Sequence, residues 1–118
     1  MRTTYSDLPG EPTKDGSEIR ELMHPARHGN AAQSLAEATV APGAETLLHR
    51  HRVTEELYHV TQGVGLMTLG AEVFEVNVGD TVCIPPGMPH RIRNIGAGPL
   101  RILCCCAPAY AHADTELL

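Results

Sequence analysis

The chain has 118 residues, which is enough for one compact domain and too few for two. Its net charge of −5, its aromatic content of 3% and its lack of tryptophan provide neither a basic surface for phosphate groups nor rings on which bases stack, so nucleic-acid binding is not expected. It contains no apolar leader and no run of about 18 apolar residues, and we expect a cytoplasmic protein that does not contact membranes.

Residues 1–17 have the composition of a flexible segment. They include Pro9, Pro12 and Gly16 among charged and polar side chains, with few apolar anchors. A segment of this kind buries too little apolar surface to offset the entropy that ordering costs. We therefore predict a flexible N-terminal arm at 1–17, followed by a single domain at 18–118.

From residue 18 onward, short apolar stretches alternate with turn-forming residues. Glycine, proline, asparagine and aspartate recur at close intervals, which is typical of an all-β sandwich or barrel. No window of about eleven residues has a convincing helical periodicity. The predicted strands lie at about residues 18–23, 33–40, 45–51, 56–61, 64–69, 72–77, 80–84, 90–94 and 99–106.

Potential metal ligands occur in two of these segments. His49 and His51 are two residues apart, which in a strand points both imidazoles to the same face. A carboxylate follows at Glu55 or Glu56, and a third imidazole, His90, comes after a proline-rich turn. Three neutral nitrogens and one carboxylate suit one divalent transition metal ion, such as Mn, Fe, Co, Ni, Cu or Zn.

The spacing of these residues resembles the first signature motif of the cupin superfamily. That motif is a glycine, five residues, His-x-His, three or four residues, a glutamate, six residues and a glycine. The matching positions here are Gly43, His49, His51, Glu56 and Gly63.

A second stretch resembles the other cupin motif, which is a glycine, five residues, Pro-x-Gly, two residues, a histidine, three residues and an asparagine. The matching positions are Gly79, Pro85, Gly87, His90 and Asn94. The resemblance implies an all-β jelly-roll barrel, also called a double-stranded β-helix. It also implies that His49, His51, Glu56 and His90 bind the metal.

The choice between the two neighbouring glutamates depends on the strand register. Strict alternation from His51 would point Glu55 inward instead of Glu56. Residues 52–54 are expected to interrupt the strand, and the six-residue count to Gly63 selects Glu56. Glu56 is therefore the predicted ligand, and Glu55 is the alternative.

The other histidines and the cysteines have simpler interpretations. His59 comes three residues after Glu56 and should point to the opposite face of its strand. Cys104 and Cys106 should face one way and Cys105 the other, as small hydrophobic residues, with a redox role as the alternative. Loop or surface positions are expected for His24, His28 and His112, and a core position for Cys83.

Four protein ligands would leave two positions open on an octahedral ion, where a substrate can chelate through two oxygens. The resemblance implies activities from dioxygenases and oxalate decarboxylases to isomerases, and also members without known catalysis. Our first hypothesis is a metal-dependent dioxygenase or related oxidoreductase, decarboxylase or isomerase acting on a small oxygen-rich chelating substrate, with Glu56 as ligand and proton acceptor. The alternative is a non-catalytic module that binds a metal and a small ligand.

The expected partners are a small-molecule ligand and a second copy of the chain. The resemblance implies pairing of barrels, since small cupins commonly pair. The N-terminal arm would also gain order by adding a strand to a neighbouring chain. We therefore predict a homodimer.

Overall fold

The computed structural model describes all residues 1–118 and consists mainly of antiparallel strands, so the all-β prediction is confirmed. None of its helices has the length and apolar character needed to cross a membrane. The strands are β1 (Gly10–Pro12), β2 (Glu18–Met23), β3 (Ser34–Val40), β4 (His49–His51), β5 (Glu55–Gln62), β6 (Gly65–Leu69), β7 (Glu72–Val76), β8 (Thr81–Ile84), β9 (His90–Asn94), β10 (Leu100–Ala107) and β11 (Thr115–Leu117). The helical segments are α1 (Pro25–His28) and the 3₁₀ turns Tyr5–Asp7 and His112–Asp114.

The strands form two sheets whose order differs from their order in the chain. The six-stranded sheet runs β1-β2-β3-β10-β5-β8, and the five-stranded sheet runs β11-β4-β9-β6-β7. Strand β10 therefore pairs with both β3 and β5, and β9 pairs with both β4 and β6. This order brings β4, which carries His49 and His51, next to β9, which carries His90.

The two sheets share one apolar core. In β5, β9 and β10, buried residues alternate with more exposed ones, as the two-residue period of a strand requires. Complete burial of a large aliphatic side chain contributes roughly 1.5–3 kcal/mol to folding. The core consists of Ala38, Val40, Tyr58, Val60, Met67, Val76, Val82, Ile84, Ile92, Leu100, Ile102 and Cys104.

Most predicted strands agree with the structure to within two residues at either end. The exception is the strand expected at 45–51, which begins only at His49. The backbone hydrogen bonds of residues 44–48 do not follow the regular pattern of a strand. The Thr46 N–H donates to the Ile92 carbonyl, and the Leu47 N–H donates to the Asp15 carbonyl. The sequence patterns do not predict β1, α1 or β11, each of which has four residues or fewer.

The N-terminal segment is paired with the six-stranded sheet. Strand β1 runs antiparallel to β2, with Gly10 opposite Arg20 and Pro12 opposite Glu18. The Arg20 guanidinium lies 4.3 Å from the centre of the Tyr5 ring. The flexibility of residues 1–17 stays a prediction, but the segment has defined contacts within its own chain.

Candidate metal centre

Three histidines meet in the interior of the molecule. His49 and His51 lie on β4, His90 begins β9, and the pairing of the two strands places His49 directly opposite His90. The exposed fractions of the three residues are 2%, 4% and 0%. One ring nitrogen from each lies within 4.8 Å of the other two. The structure therefore brings together three of the residues that the sequence singled out.

Hydrogen bonds to backbone carbonyls orient two of the rings. Nδ1 of His49 lies 2.8 Å from the Leu47 carbonyl, and Nδ1 of His90 lies 2.9 Å from the Met88 carbonyl. A carbonyl oxygen can only accept, so each Nδ1 donates and Nε2 of the neutral ring carries a lone pair. Proteins orient metal-binding histidines with hydrogen bonds of this kind.

The third ring is oriented by a hydroxyl group. Nδ1 of His51 lies 3.0 Å from Oγ1 of Thr115, which in turn lies 3.2 Å from the Ala111 carbonyl. Because the threonine hydrogen is directed to that carbonyl, Oγ1 accepts from Nδ1. Thr115 pairs with His51 between β11 and β4. No sequence motif identifies Thr115, since only sheet pairing connects two residues so far apart in the chain.

The buried ring nitrogens have the properties of an ion site. Nε2 of His90 is buried and has no hydrogen-bond partner, which ordinarily costs about 1–3 kcal/mol. Burial and the neighbouring His90 lower the pKa of His49 and favour its neutral, metal-binding form. The residues present therefore fit a divalent transition metal.

Glu56 reaches the histidines and Glu55 does not. Residues 52–54 interrupt the strands, and β5 starts with Glu55 exposed and Glu56 only 5% exposed. Oε1 of Glu56 lies 3.2 Å from Nε2 of His51 and 3.6 Å from Nε2 of His90. Burial alone would raise the pKa of Glu56, but its close contacts with the side chains of His51 and His90 lower it to about 2. The carboxylate is thus ionised at neutral pH.

The side chains of the three consecutive cysteines alternate between the two faces of β10, as predicted. Cys104 and Cys106 are 4% and 2% exposed, whereas Cys105 is only half-buried. Sγ of Cys106 lies 3.3 Å from Oε2 of Glu56, and the thiol donates to this carboxylate. Burial and the charge of Glu56 raise the pKa of Cys106, so the thiol keeps its proton. The core position predicted for Cys83 is wrong, because this residue lies on the exposed face of β8.

The remaining histidines lie outside the cluster. His59 is exposed, with its Nδ1 2.8 Å from the Thr81 hydroxyl. His24 accepts a hydrogen bond from the Ala26 N–H at the start of α1. His28 and His112 lie in short helical segments and do not contact the cluster.

A second carboxylate approaches the cluster from the N-terminal segment. Oδ2 of Asp15 lies 3.6 Å from Nε2 of His49, and the aspartate side chain is 15% exposed. No spacing rule links residue 15 to His49, since the contact depends on how the β1–β2 hairpin folds over the barrel. The sequence patterns therefore do not predict that Asp15 belongs to the site.

A cavity adjoins His49, His51 and Glu56. Its walls combine aliphatic side chains with hydroxyl groups, and no lysine or arginine lines it. Glu21 is also in the wall, where its Oε2 is buried without a hydrogen-bond partner and burial raises its pKa. Representative apolar and hydroxyl-bearing residues of the wall are Ile19, Ala36, Ile102, Ser34, Tyr58 and Tyr110.

Comparison with known proteins agrees with this architecture. The family model described as a cupin domain matches residues 36–106. An uncharacterized protein of Methanocaldococcus jannaschii is 54% identical over 118 residues, covering 100% of this chain and 94% of the relative. Polyketide synthase CurC of Streptomyces cyaneus is 30% identical over 108 residues, covering 87% of this chain and 70% of the relative.

The fold itself occurs in a solved structure. The crystal structure of a predicted oxalate decarboxylase from Thermotoga maritima matches with a TM-score of 0.80 at 23% identity. The match covers 92% of this chain and 99% of the other. This likeness confirms the predicted jelly-roll barrel.

Proposed function

This chain belongs to the cupin domain family, and from that premise we propose that it is a metal-dependent enzyme acting on a small, oxygen-rich, chelating substrate. The observation that carries the proposal is the cluster of three buried imidazoles, of which His90 has an unpartnered Nε2. We assign His49, His51, Glu56 and His90 as ligands of one divalent ion, whose identity among Mn, Fe, Co, Ni, Cu and Zn the donor set leaves open.

The proposed ligands are held in place before any ion binds. Each imidazole has its Nδ1 engaged by a carbonyl or a hydroxyl, which fixes the ring plane and directs Nε2 to the centre. Because the imidazoles are already oriented, binding of the metal ion costs less conformational entropy. A bound divalent ion would polarise the oxygens of a substrate and favour its ionised form.

Glu56 is proposed to serve both as a ligand and as a proton acceptor. Its carboxylate is ionised at neutral pH, and the Cys106 thiol donates to Oε2 while Oε1 faces His51. Glu21, on the same cavity, is a second carboxyl group, and burial raises its pKa. An ionised carboxylate and a carboxyl group whose protonated form burial favours, both on one cavity, support a role in proton transfer.

The cavity favours a compact substrate that is partly apolar. Its aliphatic and hydroxyl-bearing walls lack the arginines that phosphate groups need. The relative from Streptomyces cyaneus is named a polyketide synthase. These two observations support an enolisable diketone as the first substrate class to test, ahead of a phosphorylated sugar.

The metal centre is tested by elemental analysis of the untagged protein beside His49→Ala and His90→Ala. We expect near-stoichiometric metal in the wild type and loss of it in both variants, because each removes one of the proposed donors. His59→Ala is the matched control, since this exposed histidine lies outside the cluster. If no metal binds even after reconstitution, the site assignment is wrong.

Activity is tested by oxygen uptake of iron- and manganese-loaded protein with small diketones, enols and dicarboxylates. Uptake that disappears in His90→Ala would support the enzyme. If isotope-resolved product analysis and oxygen uptake both show no turnover while metal binds, the non-catalytic metal- and ligand-binding module replaces the enzyme as the function.

A further inference from the structure

The turn between β1 and β2 lies at the entrance to the histidine cluster. The Gly16 N–H donates to the Thr13 carbonyl at 3.1 Å, and the Thr13 N–H donates to the Ser17 carbonyl at 3.0 Å. Gly16 has a φ of +93°, in the left-handed region that such hairpin turns place after their central residues. The turn therefore holds Asp15, its second central residue, in a defined position.

Only one oxygen of the Asp15 carboxylate is needed for the turn. Oδ1 accepts from the Ser17 N–H at 3.0 Å and from the Ser17 hydroxyl at 2.7 Å, and Oγ1 of Thr13 lies 2.8 Å from it. Ser17 is itself buried, with 3% exposed. The other oxygen, Oδ2, is left to face Nε2 of His49 at 3.6 Å.

Hydrogen bonds connect the turn to the residues next to β4, the strand that carries His49 and His51. The Leu47 N–H donates to the Asp15 carbonyl at 2.8 Å, two residues before His49. Lys14 Nζ donates to the carbonyl of Thr115 at 2.9 Å, and Thr115 pairs with His51. The same backbone that positions the imidazoles therefore positions Asp15.

The two carboxylates approach different histidines. Oε1 of Glu56 is 3.2 Å from His51 and 3.6 Å from His90, whereas Oδ2 of Asp15 is 3.6 Å from His49. With bonds of about 2.1 Å, neighbouring ligand atoms of one ion lie ~3 Å apart. Each carboxylate oxygen thus lies near this separation from an imidazole nitrogen, and the contact of Asp15 with His49 is as short as the one between Glu56 and His90.

The contact between Oδ2 of Asp15 and Nε2 of His49 also needs a positive charge between the two atoms. Because Nδ1 of His49 donates to the Leu47 carbonyl, Nε2 of the neutral ring presents a lone pair toward the Asp15 carboxylate. Two electron pairs that face each other in a buried site repel, and either a proton on Nε2 or a metal cation between the two atoms relieves this repulsion. The two further imidazole nitrogens and the Glu56 carboxylate that converge here favour the metal cation. The turn alone accounts for the contacts of Oδ1 but not for this approach of Oδ2.

We propose that Asp15 supplies a further ligand oxygen to the ion held by His49, His51, Glu56 and His90. The inference rests on the proposed metal centre. Three imidazoles and two carboxylates leave one position of an octahedron open, where the four-ligand centre would leave two, so a substrate that chelates through two oxygens would displace one of the carboxylates. It also gives the N-terminal segment a role in the site.

Cobalt(II) binding to Asp15→Asn tests this inference. The amide keeps an oxygen for Ser17 but replaces the anionic Oδ2, so we expect the dissociation constant for cobalt to rise at least about tenfold and the visible absorption of the bound ion to change. Asp7→Asn removes the same charge from the same segment, where Asp7 makes no side-chain hydrogen bond, and should leave both properties unchanged. Asp15→Glu retains a carboxylate and should bind cobalt more tightly than Asp15→Asn.

The outcomes separate this inference from the metal centre itself. If His49→Ala abolishes cobalt binding while Asp15→Asn retains the wild-type affinity and spectrum, the inference is overturned and the four-ligand centre stands. If wild-type protein binds no cobalt, both are overturned. Equal losses in Asp15→Asn and Asp15→Glu, with a changed circular dichroism spectrum in each, would point to a damaged hairpin and also contradict a ligand role.

Discussion

At the scale of single residues, the hydroxyl of Thr115 controls which nitrogen of His51 is available. Its hydrogen is directed to the Ala111 carbonyl, so its oxygen accepts from Nδ1 and leaves Nε2 unprotonated. Without this acceptor, the neutral ring is free to carry its proton on Nε2 or to rotate. We therefore expect Thr115 to influence the affinity for a bound ion without contacting it.

Thr115→Val is therefore expected to weaken metal binding about 10–100-fold, because valine keeps the shape of the side chain and removes the acceptor. Isothermal titration with cobalt or zinc measures the change. Thr68→Val is the matched control, since Thr68 also lies in a strand and its hydroxyl makes no hydrogen bond. Equal affinities for Thr115→Val and the wild type would contradict this role of the hydroxyl.

At the scale of elements, the loop that separates β4 from β5 decides which glutamate faces the cavity. Asp114, at the end of the second 3₁₀ turn, accepts from the Val53 N–H at 3.0 Å and from the Thr54 N–H at 3.1 Å. Partial burial raises the pKa of Asp114, but the hydrogen bonds from these two N–H groups lower it by a larger amount. The net pKa of Asp114 is therefore below its usual value. The ionised carboxylate therefore holds the loop.

Asp114→Ala should lower the free energy of unfolding by about 1–2 kcal/mol at pH 7, since two hydrogen bonds to a charged but partly solvated group are lost. Because the pKa is lower in the folded state, this stabilisation is complete above the pKa of the unfolded chain and disappears as the pH falls through the folded pKa. Urea denaturation at pH 7 and below about pH 4 should show the difference between wild type and variant shrinking. Asp7→Ala is the control, and a pH-independent difference would argue against the carboxylate.

At the scale of the whole molecule, the predicted homodimer stays a proposal whose physical basis changes. Strand β1 pairs with β2 of its own chain, so the N-terminal segment does not need a neighbour to complete its hydrogen bonds. A row of apolar side chains instead crosses the outer face of the six-stranded sheet, over β3, β10, β5 and β8. Its members are Leu35, Cys105, Leu57 and Cys83.

If a second copy covers this row, light scattering should give twice the 12.7 kDa of one chain at micromolar concentration. Leu57→Glu would place a charge in the middle of the row and should reduce the mass to that of one chain. Val73→Glu, on the exposed edge strand β7 of the other sheet, should leave it unchanged. A single-chain mass for the wild type would contradict the dimer.

Features that depend on local periodicity and on motif spacing could be predicted from the amino-acid sequence. The two-residue step puts His49 and His51 on one face, and it divides Cys104 and Cys106 from Cys105. Apolar stretches between turn residues located nine of the eleven strands. The motif count selects Glu56 as the ligand although strict alternation favours Glu55, and Glu56 is the glutamate that contacts His51 in the structure.

The distant groups that complete the site could not be predicted in this way, because their contacts depend on tertiary packing. Asp15 reaches His49 because the first hairpin folds over the barrel, and Thr115 reaches His51 because the last strand pairs with β4. Cys106 meets Glu56 through the pairing of β10 with β5, and Cys83 is exposed because it points to the outer face of the six-stranded sheet, whereas Val82 and Ile84 of the same strand point inward. Periodicity specifies the face on which a side chain lies, but its neighbours across the sheet depend on packing of the whole chain.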